Sequence, residues 1–458
     1  MAERRVIVVG AGPAGVRCAE TLVAAGLKPI VIDEGRRDGG QIYRRQPEGF
    51  RRGYAAVYGT EAAKARALHR KFDALREKVD YRPETLAWNV ADGHLHVVQG
   101  DRTEALRYDA LVICAGATDR LMPVAGWNLA GCYSLGAAQI ALKSQACAIG
   151  KRVVFVGTGP LLYLVAAQYV KAGAKVEAVL DTSSFRLRLR ALPTLAMRPA
   201  MLFKGFALTA ALRRRGVPIA AGVTPVSITG TAVGGVAAIV VRDAGGTEKT
   251  IACDAVALGY HLRPESQLAD LAHCEFRFDA FTRQWLPQID ADGRSSVPGV
   301  YLAGDGARVL GADGAEAAGR LAAWALLADL GHPAPTAERA SLRRSLTKLD
   351  RFRRGLAQAF PWPHAQAATL PDAAIVCRCE TITAGELRRA VRDLGGCEVN
   401  RAKAFSRVGM GRCQGRYCGH ASAEIVAHAA GVPLEQVGRL RAQAPVKPLP
   451  VSAMECAS

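Results

Sequence analysis

The chain has 458 residues, half of them hydrophobic and 22% charged, which suits a soluble globular protein of two to four domains rather than one simple core. Its formal net charge of +19 comes from arginines scattered through stretches such as "RRDGGQIYRRQPEGFRR" and "LRRSLTKLDRFRR". With 6% aromatics and no nucleic-acid-binding motif, this basicity reads as solvated surface and no nucleic-acid partner is expected. Twelve cysteines without a secretory signal argue against a disulfide scaffold and towards metal or redox chemistry wherever they cluster. The longest apolar run, "VVFVGTGPLLYLVAAQYV", is broken by Gly-Thr-Gly-Pro and reads as strand, turn and helix. The expectation is a cytoplasmic protein without a transmembrane segment, peripheral membrane contact being left open.

In chain order, the first element is the apolar strand Val6 to Val9, continuous as a strand covered on both faces should be. Gly10, Gly12 and Gly15 then form GxGxxG, with Pro13 and Ala14 inside the loop, and a helical pattern through Cys18, Leu22 and Val23 follows. A second strand, Ile30 to Ile32, ends in Asp33-Glu34. Strand, glycine turn, helix, strand and acid together make the dinucleotide fingerprint. Gly10 makes the tight turn, Gly12 admits a pyrophosphate, and Gly15 lets helix and strand pack. The helix N-terminus offers N–H groups to the phosphates. Glu34, 19 residues after Gly15, is placed to accept from a ribose hydroxyl.

"GGQIY" at Gly39 to Tyr43 follows almost at once, bringing Gly40 and Gln41 into the set. "DALVICAGATDR" holds Ala115-Gly116, and "SVPGVYLAGDGARVLGADGAEAAGR" joins a strand, Val300 to Ala303, to Gly304-Asp305-Gly306 and a helix. In this order the segments resemble the two-dinucleotide-domain flavoprotein superfamily, which includes the pyridine nucleotide-disulfide oxidoreductases. The resemblance implies FAD, bound non-covalently. It places Asp305 on the ribityl or phosphate side, Ala115-Gly116 near the adenosine, and the flavin-facing helix from Ala315-Glu316.

"GKRVVFVGTGPLLYLVAAQYVKAGAKVEAVLDTSS" repeats the first pattern, with Gly157, Gly159 and a strand ending in Asp181. It lies between the two halves of the flavin domain, where the superfamily inserts its NAD(P) domain. The third glycine position is Leu162, which obstructs close helix–strand packing. Gly157, Gly159 and Asp181 therefore make a weak second nucleotide site, Asp181 staying free for a ribose, and NAD(P)H is not expected as the reductant. The superfamily's CxxC is missing too. Cys18, Cys114, Cys132, Cys147, Cys253 and Cys274 stand singly and read as small structural hydrophobes, so a dithiol-disulfide reductase is not expected. No Ser/His/Asp or Cys/His constellation appears, and His261 and His273 read as packed or solvated, so no catalytic residue is assigned.

After the Pro-punctuated "FPWPHAQAATLPDAA", Cys377-x-Cys379 is followed, after 33 intervening residues, by Cys413-x4-Cys418. The CxC pair is tighter than the usual zinc spacing, and four thiolates suit a [2Fe–2S] cluster better than zinc. Gly409, Gly411, Gly415 and Gly419 let the second loop wrap tightly and aim N–H groups at sulfur. "TITAGELRRAVRDLGG" between the pairs reads as a Thr-capped amphipathic helix. Cys397 and Cys456 lie outside the constellation. This tail resembles the bacterioferritin-associated-ferredoxin-type (BFD-like) [2Fe–2S] domain.

The whole chain is similar to the α (A) subunit family of opine oxidase, D-hydroxyproline dehydrogenase and hydrogen cyanide synthase. That resemblance implies an FAD- and cluster-bearing subunit working with a second flavoprotein subunit of the D-amino-acid-oxidase type. The partner oxidises a C–N bond of an amino acid, imino acid or opine, and electrons leave to an external acceptor. The alternatives are a self-sufficient NAD(P)H-dependent reductase, a hydrogen cyanide synthase subunit with glycine as substrate, and a redox sensor. The expected fold is α/β: an FAD-binding domain in two parts (1–150 and 255–335), an inserted Rossmann-like domain (151–254), a helical, Pro-rich linker (336–372) and the cluster domain (373–445).

Overall fold

The structure is a computed structural model that describes residues 4–453. A five-stranded sheet carries the first glycine loop, in the order Val300–Leu302, Ala110–Ile113, Val6–Val9, Ile30–Ile32, Asp80–Arg82. All its pairings are parallel. The inner strands are buried along their whole length, which is why they read as unbroken apolar runs. The helix Gly311–Asp329 crosses the helix Pro13–Ala24 closely. A Cβ at Gly319 would fall 2.0 Å from the Ala14 carbonyl oxygen, so only glycine permits this crossing.

A second parallel sheet has the order Ile219–Ala221, Lys175–Asp181, Arg152–Thr158, Ala255–Tyr260, Cys132–Ser134. Two of its strands lie outside the expected 151–254 segment. Ala255–Tyr260 is buried at every position and fills the sheet interior, and Cys132–Ser134 closes its edge. The second unit is thus inserted in the first, as expected, but its strands begin near residue 132 and end at 260. Chain enters and leaves it through Ala117–Asp119 and Leu262–Pro264, which pair antiparallel.

The linker segment is mostly one helix, Thr336–Ala359, followed by His364–Thr369. Beyond it lie the short strands Ile375–Cys377 and Ile382–Thr383 and the helices Ala384–Arg392, Val399–Ser406 and Gly419–Ala430. Thr383 caps the first of these in a reciprocal capping box with Glu386. This C-terminal unit is not an appendage: Met122 and Tyr260 share one buried core with Trp362, Cys377 and Cys418. Among the described residues no helix is long and apolar enough to cross a membrane.

Candidate cofactor sites

The glycine loop works as its spacing implies. Gly10 has φ +105°, and a Cβ there would meet the Cys114 carbonyl oxygen at 2.4 Å. A Cβ at Gly15 would lie 1.7 Å from the Gly10 oxygen, which is the tight packing the third glycine permits. Gly12 caps the helix with no side chain over its N-terminus, and its would-be Cβ lies 3.6 Å from the Gly40 Cα. Backbone alone thus forms a cradle in which a pyrophosphate can reach the helix N-terminus.

This cradle opens into a cavity of about 2490 Å³ that Gly10, Gly12, Pro13 and Ala14 line together with Glu34, Gly40, Gln41, Ala115, Gly116, Asp305 and Ala315. Gly15 and Gly304 stand behind it as packing residues, a Cβ at Gly304 falling 2.8 Å from that of Ala14. Gly116 sits against Gly306, on the Asp305 side of the cavity. Asp305 Oδ1 accepts the N–H groups of Leu310 (2.9 Å) and Gly311 (3.0 Å), and burial pushes its carboxyl up. The helix behind Asp305 begins at Gly311, one turn before the expected start at Ala315-Glu316, and Glu316 instead pairs with Arg17 at 2.7 Å.

The two acids after the second strand divide their work. Asp33 turns inward, accepting from the Ala11 N–H at 2.5 Å and the Gly35 N–H at 2.7 Å, and burial raises its carboxyl despite both donors. Glu34, the acid expected to take the ribose, is 60% exposed and pairs with Lys447 of the C-terminal tail. Both acids follow a strand that is buried on both faces, so strand parity does not separate them, and Asp33 is set apart by the Ala11 and Gly35 N–H groups that it accepts.

At the second loop the structure corrects the sequence reading of Asp181. Its fully buried carboxylate accepts from Thr158 Oγ1 (2.9 Å), Tyr163 Oη (2.8 Å), the Ser183 N–H (2.8 Å) and Ser183 Oγ (2.7 Å), and pairs with Arg188 at 2.8 Å. Five donors saturate it, so it is not free for a ribose. Gly157 is packed against the Gly259 backbone, and Leu162 is fully buried. The space over Gly159 is taken by the His261 ring, 3.1 Å from where a Cβ would lie, and that ring is held by the Phe360 carbonyl at 2.5 Å. Of the three residues of this loop, Gly159 alone lines the open cavity, with the His261 ring crowding it, while Gly157 and Asp181 are packed away.

The four C-terminal cysteines come together. Cys377 and Cys418 share one buried core, and the thiols lie close enough to shift one another: Cys418 acts on Cys377 and Cys413, and Cys413 on Cys379. A Cβ at Gly411 would fall 2.3 Å from that of Cys379, so only glycine lets the second loop approach the first. Cys418, with N–H groups of Gly409, Glu380 and Cys379, pulls the Cys377 thiol down to about 6 against burial. Cys413 is also pulled down, by Cys418 and by the N–H groups of Tyr417 and Gly415, while Cys418 is pushed well up. Among the described residues no three His, Cys, Asp or Glu side chains meet the geometry of a single metal ion, and the four thiols influence one another pairwise, Cys379 with Cys413, Cys413 with Cys418 and Cys418 with Cys377. Donor type, convergence and N–H supply fit an iron–sulfur group. Cys397 is exposed and apart, Cys456 lies outside the described residues, and Cys147 is exposed rather than packed as a structural hydrophobe.

Sequence reasoning also missed the link between the two sites. The Glu265 N–H donates to the Gly116 carbonyl at 2.9 Å, while its carboxylate takes Arg416 through two contacts of 2.8 and 3.1 Å. Arg416 lies between Cys413 and Cys418 in the loop and donates to the Cys413 carbonyl at 3.2 Å. Arg263 donates to the Arg416 carbonyl at 3.2 Å and Gln267 to that of Gln414 at 2.7 Å.

Residues 4–324 match the family model for pyridine nucleotide-disulphide oxidoreductases, and residues 375–428 the BFD-like [2Fe-2S] binding domain. The chain is 38% identical to the opine oxidase A subunit of Rhizobium meliloti, over 97% of this chain and 86% of that protein. It is 29% identical to the HcnB subunit of hydrogen cyanide synthase from Pseudomonas aeruginosa, over 98% of both. The fold of L-proline dehydrogenase from P. horikoshii superposes with a TM-score of 0.73 at 19% identity, covering 98% of this chain and 79% of that one. The chain therefore belongs to the pyridine nucleotide-disulphide oxidoreductase family, in the group of opine oxidase A subunits, as an FAD-type electron-transfer subunit with a BFD-like [2Fe–2S] domain.

Proposed function

We propose that the chain relays electrons within a heteromeric dehydrogenase or oxidase that oxidises the C–N bond of an amino acid, imino acid or opine. The substrate site lies in a second flavoprotein subunit of the D-amino-acid-oxidase type, and an external acceptor takes the electrons. In this reading Gly10, Gly12, Pro13, Ala14, Gly15, Gly40, Gln41, Ala115, Gly116, Gly304, Asp305 and Ala315 frame FAD, with Asp33 rather than Glu34 on the ribose. Cys377, Cys379, Cys413 and Cys418 hold the cluster. FAD supplies two-electron and the [2Fe–2S] group one-electron chemistry. The chain itself binds both, keeps water from two of the four thiols by burying Cys377 and Cys418 while Cys379 stays exposed, and fixes the distance between the two sites.

The observation that carries this reading is the bonded path Gly116–Glu265–Arg416–Cys413, which joins the flavin frame to the cluster loop. Two further features support it. At the second nucleotide loop Asp181 is saturated and His261 crowds Gly159, which speaks for another donor of reducing equivalents. Beside the cavity, Phe203 and Phe206 are 70% and 58% exposed, in a stretch from Thr182 to Val217 that holds eight Lys or Arg and no Asp or Glu. Such a face suits an acidic, partly apolar partner surface, and association should weaken as salt rises. The test is dye reduction by this chain, by a co-purifying second flavoprotein subunit, and by both, with D-hydroxyproline, octopine, nopaline and glycine. Turnover by this chain alone, at a rate the partner does not raise, overturns the reading.

A further inference from the structure

The cavity is more than twice the upper end of ordinary ligand pockets of about 300–1,000 Å³, and one of its walls is built apart from the glycine loop. That wall is built by the helix Leu135–Ser144, which follows the edge strand of the second unit, and by the loop after Tyr43. Lys143, near the end of the helix, is 6% exposed, and its ammonium donates to the Ile42 carbonyl at 3.2 Å. Arg52 Nη2 donates to the carbonyls of Leu142 and Lys143, each at 3.2 Å. Gln46 Nε2 donates to the Arg52 carbonyl at 2.7 Å, and Arg44 Nη2 to Gln41 Oε1 at 2.8 Å. Among the described residues no carboxylate forms an ion pair with Arg44, Arg52 or Lys143, although 35 ion-pair contacts occur elsewhere.

Four buried polar atoms are left without a partner here: Nε of Arg44, Nε of Arg52, Oε1 of Gln46 and Oγ of Ser144. All four residues and Lys143 line the cavity. Buried polar groups are ordinarily satisfied, and each orphan costs about 1–3 kcal/mol, so such a concentration marks a place where a ligand completes the bonding. Burial, and then the charge of Arg44, push the Lys143 ammonium down to about 8, the strain expected of cations gathered without a counter-charge.

We infer that Arg44, Arg52, Lys143 and Ser144 form an oxyanion site, separate from the dinucleotide cradle, for the phosphate of a small phosphorylated ligand whose hydroxyl bonds to Gln46. Three cations exceed what a carboxylate needs, since one bidentate arginine satisfies that group, and they match a phosphate dianion. The site goes beyond the relay function and rests on it only in lying beside the flavin frame.

The test uses the purified full chain with its FAD bound. Calorimetric titrations with inorganic phosphate, ribose 5-phosphate and acetate at constant ionic strength are compared in the wild type, Lys143→Met and Arg52→Gln. Phosphate binding that weakens at least tenfold in either variant, with FAD content unchanged, supports the site. Tighter binding of ribose 5-phosphate than of phosphate then identifies a phosphate monoester, and equal binding identifies free phosphate. Acetate binding as well as phosphate overturns the assignment, as does the absence of phosphate binding to the wild type. If both variants lose FAD in proportion to phosphate affinity, the cations belong to the dinucleotide, and the inference falls while the flavin reading stands.

Discussion

Replacing Glu265 by Gln removes one charge and almost no volume from the contact between the flavin frame and the cluster loop. Glu265 and Arg416 are 13% and 7% exposed, so solvent screens the pair weakly. Burial works to raise the Glu265 carboxyl, yet Arg416 and Arg263 outweigh it and hold the group below its ordinary value of 4.5. Breaking such a pair from one side leaves the partner charge buried and uncompensated, a loss of about 3–5 kcal/mol. Glu265→Gln and Arg416→Met should each lower stability by that amount, and the double variant by about 1–3 kcal/mol less than their sum, because both act on one contact. Urea unfolding followed at the visible absorbance of the cluster, with flavin fluorescence as a second probe, measures all three. A folded carboxyl below its unfolded value stabilises above about pH 4.5 and loses that contribution as pH falls through the folded value. The wild type should therefore weaken below pH 4.5 more steeply than Glu265→Gln. A Glu265→Gln loss under 1 kcal/mol, or strict additivity in the double variant, refutes the argument.

Other outcomes follow from the same contacts. Gly12→Val should place a branched side chain in the pyrophosphate cradle and empty the protein of FAD, which acid release and absorbance would show. Ser at Cys377, Cys379, Cys413 or Cys418 should each abolish bound iron and sulfide yet leave FAD in place, because Cys377 and Cys418 lie in a different core from the glycine loop and Cys379 and Cys413 lie in neither, and Cys397→Ser should change neither. Anaerobic NADH or NADPH should leave the flavin absorbance unbleached. Asp181→Asn should instead cost about 3–5 kcal/mol of stability, since it removes the charge facing Arg188.

What could be read without the fold was local chemistry with a short period. Gly10, Gly12 and Gly15 carry their meaning within six residues, and Thr383 with Glu386 within four, so turn, cradle and cap were all legible. The cysteines were legible because thiols paired at two places have few structural uses. Asp33 and Glu34 follow a strand buried on both faces, and what tells them apart is long-range: the Ala11 N–H on the one and Lys447 on the other. The saturation of Asp181 needs Tyr163 and Arg188 from two separate helices, and nothing in an acid at a strand end announces them. Ala255–Tyr260 is apolar throughout and would suit either sheet, so only its neighbours decide where the second unit ends. The Arg416–Glu265 contact joins residues 151 apart.

The antiparallel pair of connecting strands, Ala117–Asp119 and Leu262–Pro264, is the hinge about which two such units would swing. Here the C-terminal unit is stapled across it. Trp127 Nε1 donates to the Ile375 carbonyl at 2.6 Å and Gln366 to that of Pro123 at 3.2 Å, from the side of the second unit. On the first-unit side Arg283 holds Glu424 at 2.6 and 2.9 Å, and Arg439 holds Asp270 at 2.5 and 2.7 Å. Between them the Arg120 guanidinium lies 3.9 Å over the Trp362 ring. A swing would have to break all of these at once, so the domains behave as one rigid frame. Electron tunnelling weakens steeply with distance, and a frame that does not breathe holds the gap between the two redox sites the same in every turnover.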